Sequence, residues 1–372
     1  MENQICVVVN ILKDNKSKLN RLFFIGFIKY ISMLMIIRVH IYNFNERVYA
    51  RRACEFLFVS SGFLVGYNYI NKNVPDTFEY SFKYYYKHLK DCYPLYLINF
   101  IYGVFSNRKY IKFSLTTIEL IIINIFMLQI WSRHRNLAPF FNAISWFLHD
   151  LLICYLISPL LLKGINSIKK SLILFSLLSF IRIIYEEFIT HGAYNLFDTN
   201  FHDSPVIRAL EFYLGMLIIP SFLKIKIYFD QYQNKYIFKM FFTFIQITST
   251  FITFLILNRF QNLYRCYFVM IFVLYIFIIG YDYGYLSYII SNKFIQFIMN
   301  TQMEMYLSHI SINSIITTNK FFYFLSYLEK KLIFIIKLII IFSFGLLYKK
   351  LLKERLSKSL DKIFYLINKM IN

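Results

Sequence analysis

Apolar runs long enough to cross a lipid bilayer recur along this chain, and that recurrence restricts its fold more than any other feature. A bilayer-spanning helix needs about 20 mostly apolar residues. Ten segments meet that length loosely, near 22–44, 53–71, 112–131, 144–163, 170–190, 205–223, 236–257, 263–281, 301–319 and 332–351. In lipid every backbone N–H and C=O must be satisfied internally, so these segments predict an all-α, polytopic transmembrane bundle. The 58% hydrophobic and 16% charged shares also lie outside the range of soluble globular proteins.

Charge placement orients the expected bundle. The formal net charge is +21, but the basic residues fall in short stretches between apolar runs, as cytoplasmic loops do, so a membrane is expected as the partner and nucleic acid is not. The run 94–105, PLYLINFIYGVF, is too short to span. Treating it as interfacial or re-entrant leaves ten spans with both termini cytoplasmic. Lys83, Lys87, Lys90, Arg108, Lys109 and Lys112 then lie inside. The loop 191–204, which has no Lys or Arg, lies outside, while Arg47, Arg51, Arg52, Arg133 and Arg135 are exceptions to the rule. The expected organisation is a cytoplasmic tail over 1–21, one membrane domain over 22–352 and a cytoplasmic tail over 353–372. Cys6, Cys54, Cys92, Cys154 and Cys266 show no metal-type or CxxC spacing and read as packing residues. No metal is expected.

Ionisable groups at membrane depth are costly and mark pathways or sites. The first apolar segment holds three: Lys29, Arg38 and His40. Eleven residues separate Lys29 from His40, which in a helix places them on one face, about 20° apart and about 16 Å along the axis. Arg38 points elsewhere. Glu55 opens the second segment, followed by Ser60, Ser61 and Gly62, small residues that let helices approach closely. Lys87, His88 and Lys90 cluster before Pro94, where they suit lipid headgroups or the phosphates of a nucleotide-like donor. Asp150 lies one turn after Trp146. Arg208 and Glu211, at i, i+3, are spaced to pair, which lowers the cost of both in a membrane. Glu304 and His309, at i, i+5, lie about 140° apart on an ideal helix and cannot share one narrow pocket.

These pieces, in this order, resemble the acyltransferase-3 family of membrane acyltransferases. The matching blocks are Lys29 with His40, FVSSGFL in the second segment, the basic run before Pro94, the Trp146 block ending in YLISPLL, EFYLGMLI, and EMYLSH near the end, together covering residues 22 to about 315. Three positions differ: Lys29 stands where the family usually has Arg, the Arg-rich run before the proline is reduced to Lys87, His88 and Lys90, and Asp150 stands for a glutamate.

The resemblance implies transfer of an acyl group, most often acetyl from acetyl-CoA, to a hydroxyl of a carbohydrate or glycolipid acceptor at a bacterial cytoplasmic membrane. His40 is then the expected general base, and Lys29, Lys87 and Lys90 the expected donor-binding cations. Glu55 and Glu304 are candidates to orient His40 or bind acceptor. His309 is a further catalytic candidate, and Arg38, Trp146, Asp150, Arg208 and Glu211 are substrate or structural ones. A lipid-linked sugar flippase or polysaccharide exporter, equally polytopic and lined with buried charge, is the main competing class. A membrane glycosyltransferase would offer an acidic site in a large outer loop, for which Asp198, His202 and Asp203 are too few.

Overall fold

Each of the ten apolar segments contains a helix, and in the computed structural model all regular elements among the described residues are helical. Those residues are 22–42, 47–72, 75, 77–107, 114–128, 145–165, 167–190, 204–260, 265–319, 322, 325 and 328–371. The N-terminal tail and the outer-loop residues Asp198, His202 and Asp203 lie outside them. The helices are α1 (Phe23–Tyr42), α2 (Arg47–Lys72), α3 (Phe78–Ser106), α4 (Leu115–Ile125), α5 (Ser145–Leu161), α6 (Ile168–Thr190), α7 (Pro205–Leu217) and α8 (Ile219–Asp230). They continue with α9 (Tyr236–Arg259), α10 (Arg265–Ile279), α11 (Tyr285–Ile290), α12 (Lys293–Met299), α13 (Gln302–Thr318), α14 (Lys330–Tyr348) and α15 (Glu354–Ile371).

Four helical runs among the described residues are long and apolar enough to cross a membrane: Phe23–Tyr42, Pro205–Asp230, Tyr236–Arg259 and Lys330–Lys362. The protein is therefore an all-α membrane protein. Leu115–Ile125, Ser145–Leu161 and Cys266–Ile279 are apolar but shorter. The 11 residues of α4 extend only about 16 Å, against a hydrocarbon core of about 30 Å.

The segment 94–105, expected as interfacial or re-entrant, forms the second half of α3, a single helix of 29 residues. Residues 78–93 carry no glycine or proline to stop propagation. Pro94 removes one backbone hydrogen bond without ending the helix. The basic run is therefore helical surface and not a loop. The C-terminal segment, expected as a tail, is also helical. A π-helical turn at Lys349–Lys353 joins α14 to α15.

The chain divides into two compact units. The first comprises Met1–Met35, Arg47–Lys83 and Ile153–Met299; the second comprises Ile36–Glu46, Tyr84–Leu152 and Asn300–Asn372.

In the first unit α2 and α7 pack backbone to backbone. A Cβ on Gly62 would stand 1.7 Å from the Phe212 carbonyl oxygen, and one on Gly215 would stand 2.0 Å from that of Val59. Only glycine permits that approach, so the FVSSGFL and EFYLGMLI blocks interlock through their glycines. The start of α1 is capped from a distance, because the Asp282 carboxylate accepts the backbone N–H groups of Phe23 and Phe24. Two of the orphan donors at that helix end are thereby satisfied.

In the second unit α3 carries α4 on two tyrosine hydroxyls, Tyr93 donating to the Ile125 carbonyl at 2.8 Å and Tyr96 to the Asn124 carbonyl. Tyr102 of α3 also meets Ser314 of α13 at 3.2 Å. Gly345 of α14 packs against the Glu304 side chain of α13, where an added Cβ would find Glu304 Cβ at 3.3 Å.

Candidate functional site

The arrangement with most chemistry in it lies in the second unit, where the end of α1 meets α13. His40 Nδ1 is 2.7 Å from His309 Nε2, and the two rings stack with centroids 5.0 Å apart at 22°. His309 Nδ1 is 2.6 Å from the carbonyl oxygen of Tyr306, three residues earlier on α13. A carbonyl can only accept, so His309 carries its proton on Nδ1, and with both rings neutral its Nε2 is a bare acceptor. That acceptor takes the Nδ1–H of His40. The direction of the chain, His40 to His309 to Tyr306, leaves the lone pair of His40 on Nε2. Among the described residues nothing donates to that nitrogen, and the half-buried ring presents it as a base.

His309 is fully buried. The block around it is tied to the Trp146 block, since the Phe147 ring lies 5.1 Å from that of Tyr306. Trp146 is half-buried and packs edge-on against Phe147 at 5.9 Å, while His149 and Asp150 are buried. Arg38, two residues before His40, is exposed.

Glu55 and Glu304, both expected as candidates to orient His40, are each engaged by a cation. In the first unit Arg52 Nη1 is 3.1 Å from Glu55 Oε2, and its guanidinium stacks 3.9 Å over the Phe268 ring. Arg52, expected as an outer-loop exception, is thus a buried helix residue. In the second unit Lys353 Nζ, from the π-helical turn, is 2.9 Å from Glu304 Oε1. Glu304 Oε2 is buried and has no hydrogen-bond partner among the described residues. The contacts of Glu304 and His309 diverge, as their spacing around the helix requires.

The expected donor cations separate. Lys29, in the first unit, donates to Ser61 Oγ at 3.0 Å. Ser61, read from sequence as a packing residue, is its partner. In the second unit Lys87 is exposed, and Lys90 Nζ is 3.2 Å from Asp361 Oδ2 of α15, whose Oδ1 also accepts from the Tyr86 hydroxyl at 2.8 Å.

Arg208 and Glu211 pair as their spacing predicts, and both are fully buried. They belong to a larger network: Arg182 bonds Glu186 at 2.8 Å and Glu211 at 3.3 Å, and Glu186 also accepts the Cys266 backbone N–H at 2.7 Å. Two guanidinium and two carboxylate groups balance. Removing one partner of such a buried pair costs about 3–5 kcal/mol, so these groups hold α6, α7 and α10 together. Sequence reasoning missed Arg182 and Glu186, although their i, i+4 spacing inside an apolar segment is the same signal that marked Arg208 and Glu211. It also missed Lys353, Asn313 and Lys337, whose partners lie on other helices.

No protein family, curated protein or solved structure matches this chain.

Proposed function

We propose that this protein is a membrane O-acyltransferase that moves an acyl group, in the first instance acetyl from acetyl-CoA, to a hydroxyl of a carbohydrate or glycolipid, with His40 as the general base. The observation that carries the reading is the directed chain from His40 through His309 to the Tyr306 carbonyl, which points one basic nitrogen outward. In the reaction His40 Nε2 takes the proton of the acceptor hydroxyl as its oxygen attacks the thioester carbonyl. The carbon–sulfur bond then breaks, and the thiolate recovers that proton from His40. His309 holds the ring and its tautomer, and the positive charge that develops on His40 is shared into the pair. Lys87 and Lys90, in the same unit, are the cations assigned to the phosphates of the donor. Lys29, three turns before His40 on α1, takes the role of the first-helix basic residue. The reading places ten spans in a bacterial cytoplasmic membrane with both termini inside.

The test uses membranes containing the full chain and radiolabelled acetyl-CoA with carbohydrate acceptors, alongside mass analysis of surface glycan with and without the gene. His40→Ala should lower transfer by about 10²- to 10⁴-fold while the protein accumulates normally. Transfer near wild type in His40→Ala removes the assignment. An unchanged glycan mass and no use of acetyl-CoA point instead to transport.

A further inference from the structure

Lys337 lies inside α14, in the apolar run KKLIFIIKLIIIFSFGLLY, and the mechanism above does not use it. Its side chain is 7% exposed. A lone ammonium in such a run is costly without an acceptor, and the acceptor it has is neutral: Nζ donates to Asn313 Oδ1 of α13 at 2.7 Å.

The pair stands one helical turn from His309 along α13. Asn313 is four residues beyond His309 on α13, so the two side chains share a face, about 6 Å apart along the axis. From the other side, Tyr42, two residues after His40, donates its hydroxyl to the Lys330 carbonyl of α14. The Tyr42 ring also packs 5.3 Å from that of Phe334, one turn before Lys337. All of these residues belong to the second unit.

Donor bookkeeping shows what the pair lacks. An ammonium has three protons, and Asn313 accepts one. With Oδ1 turned to Lys337, the two N–H bonds of the Asn313 amide face away from it. Among the described residues no acceptor takes the remaining ammonium protons or those amide protons, and no carboxylate pairs with Lys337. A buried positive charge flanked by spare donors is a receptor for an anionic oxygen group.

We infer that Lys337 and Asn313 form an anion-binding subsite next to His40 that takes a carboxylate of the substrate. The anion belongs either to an acidic acceptor carbohydrate or to a dicarboxylic acyl group; that assignment of its host rests on the acyl-transfer reading. The subsite holds the substrate by its charge, so that the reacting hydroxyl or the thioester carbonyl is presented to His40 Nε2.

The experiment is equilibrium binding to the detergent-purified full chain, using a galacturonate oligosaccharide against its neutral galactose counterpart, and succinyl-CoA against acetyl-CoA. Wild type should prefer one acidic probe by about tenfold or more, the worth of one charge-assisted hydrogen bond. Lys337→Gln should abolish the preference and Lys337→Arg should keep it. Asn313→Asp is the variant that separates binding from packing. It gives the ammonium a carboxylate partner, keeps or strengthens the bond between α13 and α14, and fills the anion's place, so the preference should vanish while the melting temperature holds or rises. Preference for the oligosaccharide assigns the anion to the acceptor, and preference for succinyl-CoA assigns it to the acyl group. No acid preference in wild type, or one that survives Asn313→Asp or Lys337→Gln, overturns the subsite. A preference that obeys these variants in a protein that transfers neither acetyl nor succinyl label keeps the subsite and removes the acyl-transfer reading.

Discussion

An imidazole at membrane depth needs hydrogen-bonding partners, and His40 has one in a second imidazole. Because the Tyr306 carbonyl can only accept, the proton positions of both rings follow from the backbone that His309 meets. On the proposed reading His309 is a positioning residue, and its loss should be felt in turnover more than in donor binding. His309→Ala leaves the His40 Nδ1–H without its acceptor, and we expect kcat to fall by about 10- to 100-fold with KM for acetyl-CoA little changed. His309→Gln supplies an amide oxygen in the same region and should recover most of that loss. Steady-state kinetics on the three proteins check this, and equal rates for His309→Ala and wild type, or no recovery with Gln, contradict the role.

Among the helices, contact between α2 and α7 depends on the absence of two side chains. With Phe212 O at 1.7 Å and Val59 O at 2.0 Å from the places a Cβ would occupy, neither neighbour can yield, since both are backbone atoms of a helix. Overpacking usually costs about 1–3 kcal/mol, and a clash with rigid backbone lies at or above the top of that range. Gly62→Ala and Gly215→Ala should each lower the melting temperature and membrane accumulation of the protein. Gly26→Ala, where the nearest atom is the flexible Met299 Cε at 3.1 Å, should be tolerated. Similar melting curves for all three variants contradict the close packing of α2 on α7. The same α2 carries Glu55 to Arg52, so this carboxylate, expected as a candidate to orient His40 or bind acceptor, is buried and paired in the first unit.

For the molecule as a whole, sidedness is the quantity that ties donor to acceptor on the proposed reading. In a background lacking native cysteines, a cysteine at position 87 should react with an impermeant thiol reagent only from the cytoplasmic side, and one in 191–203 only from outside. Lys87 is exposed, so access at that site reports the side of the membrane rather than burial. Labelling of position 87 from outside removes the ten-span arrangement and the donor roles of Lys87 and Lys90 with it. His40 as base is unaffected.

Local pattern by itself determined that the protein is a helical membrane protein, since apolar run length and mean composition state what solvent a helix must face. It determined the i, i+3 pairing of Arg208 with Glu211, and it singled out His40 as an ionisable group at membrane depth, because both are properties of one helix. The length of α3 escaped it, since Pro94 is a weaker stop inside a helix than charge and run length imply. The partners of Glu55, Glu304, Lys29 and Lys90 were decided elsewhere, at Arg52, Lys353, Ser61 and Asp361. So was the juxtaposition of His40 with His309 and of Lys337 with Asn313. Apart from Arg52 with Glu55, these contacts join different elements of the chain. Spacing along a chain fixes direction around one helix axis, but which helix faces it depends on how the whole bundle packs.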